Sequence, residues 1–277
     1  KLFPKELVIW QDSLPMTLRE GRILMEKLFE NGTLKLKDGE VHNPVEGKEV
    51  ASGKLVIKLK NLYFRYAKNS DDVLRGLSLE IEEGRLHCLL GGNGSGKSTT
   101  LKAICGIIKP QSGKVKLADN LRAAMVPQNP QALFTEISCE EEVLEGMCYQ
   151  KLEIEEKVRR TEEMLKLMEI EHLRKANPYD LSGGEQQRVC IARAVIKKPA
   201  VLFCDEATGA LDSENSKNII VLLHAIKQTY GTSILFTTHN REIARTADRI
   251  LLLEDGRIVR DDMNMEKLSP NQMSWEI

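Results

Sequence analysis

Apolar residues along this chain follow first one period and then another, and the change of period divides the sequence. Thr17-Leu18-Arg19-Glu20 has the form of a helix capping box, and Ile23, Leu24 and Leu28 then recur at helical spacing until Asn31-Gly32 stops them. A short Leu34-Lys35-Leu36 run, an Asp38-Gly39 turn and a Gly/Pro/Glu-rich stretch lead on to Lys54. This is too little apolar sequence for an independent core. Residues 1–53 are therefore expected to form a linker or packing arm.

From Lys54 the pattern shortens. Leu55 to Leu59 and Leu77-Ser78-Leu79-Glu80-Ile81 alternate as strands do, with a turn-rich break between them. Arg85 to Leu90 is a short apolar strand that runs into a glycine-rich loop, and a helix is expected from Thr99 to Ile108. Residues 153–169 predict an amphipathic helix with Ile154, Val158, Leu165 and Met168 on one stripe. Apolar strands follow at 200–204, 233–238 and 249–253, separated by helical segments, and Asp255-Gly256 between two apolar runs signals a hairpin. Strands alternating with helices argue for an α/β domain with a largely parallel sheet.

Composition narrows the function classes. With 277 residues, 42% hydrophobic and 29% charged, the chain is an ordinary globular protein. Its 40 Lys and Arg against 41 Asp and Glu give a net charge of -1, so no polyanion-binding surface and no nucleic-acid partner is expected. The six cysteines are scattered without a C-x-x-C pair and are read as reduced core residues. No signal peptide is visible, and no apolar run reaches the roughly 20 residues that cross a bilayer.

Chemistry is concentrated in three segments. Gly91-Gly92-Asn93-Gly94-Ser95-Gly96-Lys97-Ser98 matches G-x-x-x-x-G-K-[ST] between an expected strand and helix, as a phosphate cradle requires. Its glycines let backbone N–H groups close on an anion, and the helix start adds its positive end. Lys97 would reach the β- and γ-phosphates, and Ser98 would ligate Mg²⁺. At Val201-Leu202-Phe203-Cys204-Asp205-Glu206 an apolar strand ends in two acids, the first suited to hold Mg²⁺ and the second to polarise water. In Leu181-Ser182-Gly183-Gly184-Glu185-Gln186-Gln187-Arg188, Ser182 and Glu185 form a capping box. Two adjacent glycines in a first helical turn cost about 1 kcal/mol each relative to Ala, and a second anion-binding helix start accounts for them.

That last segment resembles the signature sequence of ABC ATPases, and the resemblance extends over roughly residues 54–262. It implies a P-loop NTPase with a RecA-like mixed sheet core, an N-terminal antiparallel β subdomain and an inserted α-helical subdomain at about 129–188, with 263–277 as a C-terminal tail. It also implies ATP and Mg²⁺ as ligands. Tyr66 looks like the aromatic that stacks on adenine, and Gly91, Asn93, Gly94, Ser95, Gly96, Lys97, Ser98 and Thr99 like the phosphate loop. Gln128 in Val126-Pro127-Gln128-Asn129-Pro130 resembles the glutamine that senses Mg²⁺ and the membrane partner, so that Ser98, Gln128 and Asp205 form the metal set. Ala210-Leu211-Asp212 resembles the D-loop and His239 the switch histidine. Glu206, His239 and Lys97 are then the catalytic residues. In that family Ser182, Gly183 and Gly184 would serve the nucleotide of a facing ATPase domain, so a second such domain, identical or not, is an expected partner.

Within the family, Asn61 to Tyr66, Val126 to Pro130, Phe134 and Glu140-Glu141-Glu142-Val143 resemble energy-coupling-factor importers of vitamins or metal ions such as cobalt. Ser13 to Arg22 is similar to the connector between halves of fused two-ATPase subunits, which implies a second half of a longer polypeptide. Asp205 to Asp212 and Ala247-Asp248-Arg249-Ile250 also resemble lipoprotein-release and macrolide-export ATPases, and a non-transport ABC ATPase is a further alternative. The importer reading implies a transmembrane coupling protein, a substrate-binding membrane subunit and a peripheral position on the cytoplasmic face of the membrane. Residues 129–148, with Leu133, Phe134, Ile137 and Glu140 to Glu142, suit a mixed apolar and acidic groove for a partner helix, or alternatively a helical subdomain with a solvated acidic face.

Overall fold

The structure, a computed structural model, describes residues 53–273. The arm expected over 1–53 lies outside these residues except for its last position. In chain order the strands are β1 (Leu55–Phe64), β2 (Leu74–Glu82), β3 (Leu86–Leu90), β4 (Ser112–Leu117), β5 (Ala123–Val126), β6 (Val201–Cys204), β7 (Ser233–Thr238), β8 (Arg249–Glu254) and β9 (Arg257–Met263). The helices are α1 (Lys97–Ile104), α2 (Cys139–Glu145), α3 (Ile154–Leu167), α4 (Gly183–Val195), α5 (Ser213–Tyr230) and α6 (Arg241–Ala244). Strands β4 and β5 carry no clear period in the sequence and become visible only through their pairing.

The chain packs as two units. The first comprises residues 53–83, Leu89–Leu121 and Leu251–Asp262. Its antiparallel sheet has the order β2-β1-β4, with Leu59 opposite both Leu79 and Val115. Alternation puts Ile57, Leu59 and Leu62 of β1 in the core with Leu77, Leu79 and Ile81 of β2. At Gly113 (φ 96°) a Cβ would stand 2.3 Å from the Asn61 carbonyl, so only glycine lets β4 approach β1 where the register shifts. The end of β3 is followed in this unit by β8 and then β9 in sheet order. Asp255 (φ 44°) and Gly256 (φ 72°) both adopt the left-handed conformation of a two-residue hairpin turn, as the sequence predicts.

The second unit comprises Gly84–Cys88, Arg122–Ile250 and residues 263–273. Here β5, β6 and β7 run parallel, with Val126 opposite Cys204 and Cys204 opposite Phe236, and β3 follows β7. Every residue of β6 and β7 is buried, which is why both read as continuous apolar runs rather than alternations. Around this sheet, α4 buries Val189 to Val195 and α5 buries Ile219, Ile220, Leu222, Leu223 and Ile226. The stripe expected on α3 is only half used: Leu165 is buried, as is Met168 just beyond the helix, whereas Ile154 and Val158 face outward.

Asp248 ties this unit's ends together. Its carboxylate accepts from Lys227 (2.6 Å), Lys267 (2.7 Å) and the Leu86 N–H (2.7 Å). Burial opposes its charge, but these donors win and hold the carboxyl at about 2. The six cysteines are free thiols, and five are buried; burial pushes the Cys190 thiol up to about 12, so it stays protonated. Cys148 is exposed and departs from the core role expected of it.

Candidate functional site

In the first unit β3 ends at Leu90 and the chain turns through Gly91–Gly96 into α1. Gly94 (φ 78°) and Gly96 (φ 105°) take left-handed conformations closed to most side chains, and Gly96 caps α1 without any side-chain bond. A Cβ on Gly91 would stand 2.5 Å from the Leu253 carbonyl and 2.6 Å from Ser95 Oγ. The loop is therefore tight at Gly91, whereas a Cβ at Gly92 or Gly94 would meet nothing within 4 Å. Lys97 is buried, and its ammonium donates to the carbonyls of Gly91 (2.8 Å) and Gly92 (2.9 Å). It is thus held across the cradle, where a phosphate would replace carbonyl oxygens with more strongly charged ones. Ser98 and Thr99 open the helix, and Gly92, Asn93 and Gly94 are exposed. Tyr66 stands mostly exposed, edge-on to Phe64, with its hydroxyl 3.1 Å from Thr99 Oγ1. Residues 66 and 91–99, expected to act together, are joined by this contact.

In the second unit the acids at the end of β6 are separated by burial. Asp205 is buried and its Oδ1 accepts from the Thr237 hydroxyl at 3.0 Å. The same hydroxyl accepts the Glu206 N–H at 2.9 Å. Thr237 thereby fixes the direction of both acids, a role that its place in an apolar strand does not announce. Glu206 has φ 45°, a strained conformation for a residue with a side chain. Its Oε2 lies 3.4 Å from Gln128 Nε2 and 4.0 Å from His239 Nδ1. Two residues read from separate motifs therefore converge on one carboxylate oxygen of a third. The first contact is a long hydrogen bond, and the second lies beyond hydrogen-bond reach.

The signature segment forms as its sequence dictates. Ser182 Oγ accepts the Glu185 N–H, and Glu185 Oε2 accepts the Ser182 N–H (2.9 Å) and hydroxyl (2.6 Å). These bonds hold the Glu185 carboxyl below its ordinary range. Ser182 and Gly183 are exposed while Gly184 is buried. A Cβ on Gly184 would lie 2.5 Å from Asn215 Oδ1, so the helix start rests directly on the start of α5. There Asp212 caps α5: Oδ1 accepts the Asn215 N–H (2.8 Å) and Oδ2 the Asn215 amide (2.9 Å). A cleft of about 410 Å³ is lined by Gln128, Gly183, Gln187, Glu206 and Leu211 among others. It brings the glutamine loop, the signature start, the acidic strand end and the D-loop to one place.

The segment after Gln128 corrects one expectation. Phe134 is buried, packed edge-on to Tyr179, whose hydroxyl donates to the Phe134 carbonyl at 3.2 Å. It cannot meet a partner helix; the exposed apolar positions are Ile137 and Tyr179, at 77% and 51% exposed. Nor do the three acids form an open acidic face. Glu140 is bound by Arg174 and Lys175, which hold its carboxyl low, and Glu141 accepts from the capping residue Ser138. Glu142 is fully buried against Arg193. Helical patterning shows three consecutive acids as equivalent, although only one of them faces inward.

Residues 74–209 match the ABC transporter family. The energy-coupling factor transporter ATP-binding protein EcfA1 of Ligilactobacillus salivarius is 36% identical over 217 residues, covering 74% of this chain and 77% of that protein. EcfA1 of Streptococcus pneumoniae is 35% identical over 233 residues, covering 79% and 84%. Among solved structures, cbiO1 from Clostridium perfringens, part of the ABC transporter complex cbiONQ, superposes with TM-score 0.71 at 29% identity over 77% of this chain and 90% of its own. The dimeric bacterial ABC transporter cassette MJ0796 gives TM-score 0.68 at 32% identity, covering 75% and 98%.

Proposed function

The chain belongs to the ABC transporter ATP-binding proteins and is an ATPase, and from that premise we propose that it energises uptake of a vitamin or metal ion through an energy-coupling factor complex. The names of its relatives, EcfA1 and cbiO1, support the uptake reading. Its partners on this reading are a second ATPase domain, a transmembrane coupling protein and a substrate-binding membrane subunit. Among the described residues no helix is long and apolar enough to cross a membrane. The proposed position is peripheral, on the cytoplasmic face, with Ile137 and Tyr179 at the membrane-partner contact.

The chemistry asks little covalent work of the protein and much positioning. Tyr66 stacks on adenine, and Gly91 with residues 93–99 close on the phosphates. Lys97 neutralises charge that develops on the transferred phosphoryl oxygens. Bound Mg²⁺ would add to that neutralisation, and the donor set Ser98, Gln128 and Asp205 has the hard oxygens it prefers. Glu206 orients the attacking water and accepts its proton, while His239 steadies the γ-phosphate. Ser182, Gly183 and Gly184, with Asp212 beside them, act on the nucleotide of the facing ATPase domain. ATP closes the pair and hydrolysis lets it open.

The observation that carries this reading is the convergence of Gln128 and His239 on one oxygen of Glu206. Glu206→Gln should keep nucleotide binding and lower turnover about 10²–10⁴-fold, the range for a positioned general base. Undiminished hydrolysis would remove Glu206 from that role. For the transport part, the chain with its co-purified membrane subunits in vesicles should accumulate labelled cobalt or one of a vitamin panel when ATP is supplied. ATP-driven extrusion instead would place the chain among exporters.

A further inference from the structure

Glu142 and Arg193 form a polar junction outside the nucleotide site. Glu142 sits in α2 and is fully buried, and Arg193 lies in the last turn of α4, nearly as enclosed. One carboxylate oxygen accepts the N–H groups of both Thr135 and Glu136, and the other takes Arg193 Nη1 at 2.8 Å. The same guanidinium nitrogen donates to the Leu133 carbonyl. One ion pair thus joins three pieces of chain: the segment 133–136, helix α2 and helix α4. The backbones also touch one turn further on. A Cβ on Gly146 would stand 2.6 Å from the Arg193 carbonyl, so only glycine lets the end of α2 come this close to α4.

Stability alone does not explain such a junction. A buried ion pair gains little over an apolar pair of the same volume, because taking both charges out of water offsets their attraction. What it supplies is a single allowed arrangement of the elements that it links. Those elements have two functional ends. Segment 133–136 leads directly to Ile137, the most exposed apolar residue of this region, and α4 begins with Ser182-Gly183-Gly184. Arg193 stands ten residues from Gly183, about 15 Å at helical rise, along a helix buried for most of its length.

We propose that the Glu142–Arg193 pair is a positioning device that makes segment 133–136 and the signature helix move as one body, so that a membrane partner at Ile137 sets the register of Ser182-Gly184. Neither residue touches nucleotide; both act through the helix they lock. This rests on the reading that the chain works with a membrane partner.

The test uses the chain with its membrane subunits in lipid nanodiscs and compares three proteins: wild type, Arg193→Lys, and the double variant Glu142→Leu/Arg193→Met. The double variant restores packing without polar bonds; Arg193→Lys keeps the charge but loses the two-acceptor geometry. The readout is the ratio of ATP hydrolysis in the complex to hydrolysis by the isolated chain, measured below each protein's melting temperature. A purely structural role would lower the melting temperature and leave that ratio alone. The expected result is unchanged basal hydrolysis and KM for ATP, with the ratio falling about fivefold or more, the lower range of coupling between distant sites. A wild-type ratio in a folded double variant overturns the proposal. Should the double variant fail to fold, a wild-type ratio in Arg193→Lys overturns it equally. If membrane subunits do not alter hydrolysis even in the wild type, the transport reading fails instead.

Discussion

Two glycine-rich helix starts lie in this molecule, one in each unit, and they are built in opposite ways. At α1 the cap is Gly96 in a left-handed conformation, without side-chain bond or acidic residue in the first turn. At α4 the cap is Ser182, closed by Glu185 into a complete capping box. Both starts present the positive end of a helix. Only the first is left unneutralised by its own sequence, and there the nearest charge is the Lys97 ammonium, held by loop carbonyls. At the second, Glu185 already accepts hydrogen bonds from the Ser182 hydroxyl and N–H, so on the proposed reading a phosphate would have to compete with a carboxylate. Thus α1 is a standing cradle and α4 a latched one. Glycine content alone does not distinguish them; the residue three places after the cap does.

The contrast can be broken at its stronger side first. Lys97→Ala should lower turnover about 10²–10³-fold, as loss of one charge-stabilising donor does, and weaken nucleotide binding with it. Steady-state ATPase assays and nucleotide titration measure both. A change confined to KM would mean that Lys97 serves only the bound ground state, and the cradle would lose its catalytic half.

The strand that feeds the cradle gives the next effect. His87 in β3 is buried, and burial followed by the nearby Arg249 lowers its pKa to about 4 from 6.5. The unfolded chain binds this proton first, so the contribution is fully present above pH 6.5 and is lost as pH falls from 6.5 towards 4. By pH 5 the loss is about 2 kcal/mol, at about 1.4 kcal/mol per pKa unit. Urea titrations at pH 7.5 and 5 should show it in the wild type and not in His87→Leu. An equal slope in the variant would assign the acid sensitivity elsewhere.

The smallest effect belongs to the latch. Ser182→Ala removes the cap and should cost about 1 kcal/mol of stability by thermal unfolding. Nucleotide affinity of the isolated chain should stay at the wild-type value, because the first cradle is untouched. Weaker binding by the isolated chain would mean that the two starts are not independent.

Much of the site was legible because its chemistry is local. The phosphate loop, the paired acids after β6 and the Ser182–Glu185 box each need residues a few positions apart, and the structure forms them as written. The Glu142–Arg193 pair was not legible, because its partners are 51 residues apart and an acid in a first helical turn is equally at home in water. Thr237 escaped for a related reason: a hydroxyl at a strand end shows its use only when a neighbouring strand brings the acids to it. In the fold, β6 and β7 declared themselves as apolar runs. The four residues of β5 declare nothing until β6 is beside them.

Glu206 keeps its left-handed backbone at a cost of order 1–3 kcal/mol. Replacing it by glycine would relax that strain and at the same time delete the carboxylate. The position is therefore one where thermal selection and catalytic selection pull in opposite directions. A screen of this chain for heat tolerance alone would be expected to recover glycine at 206, in proteins that bind ATP and turn over little of it.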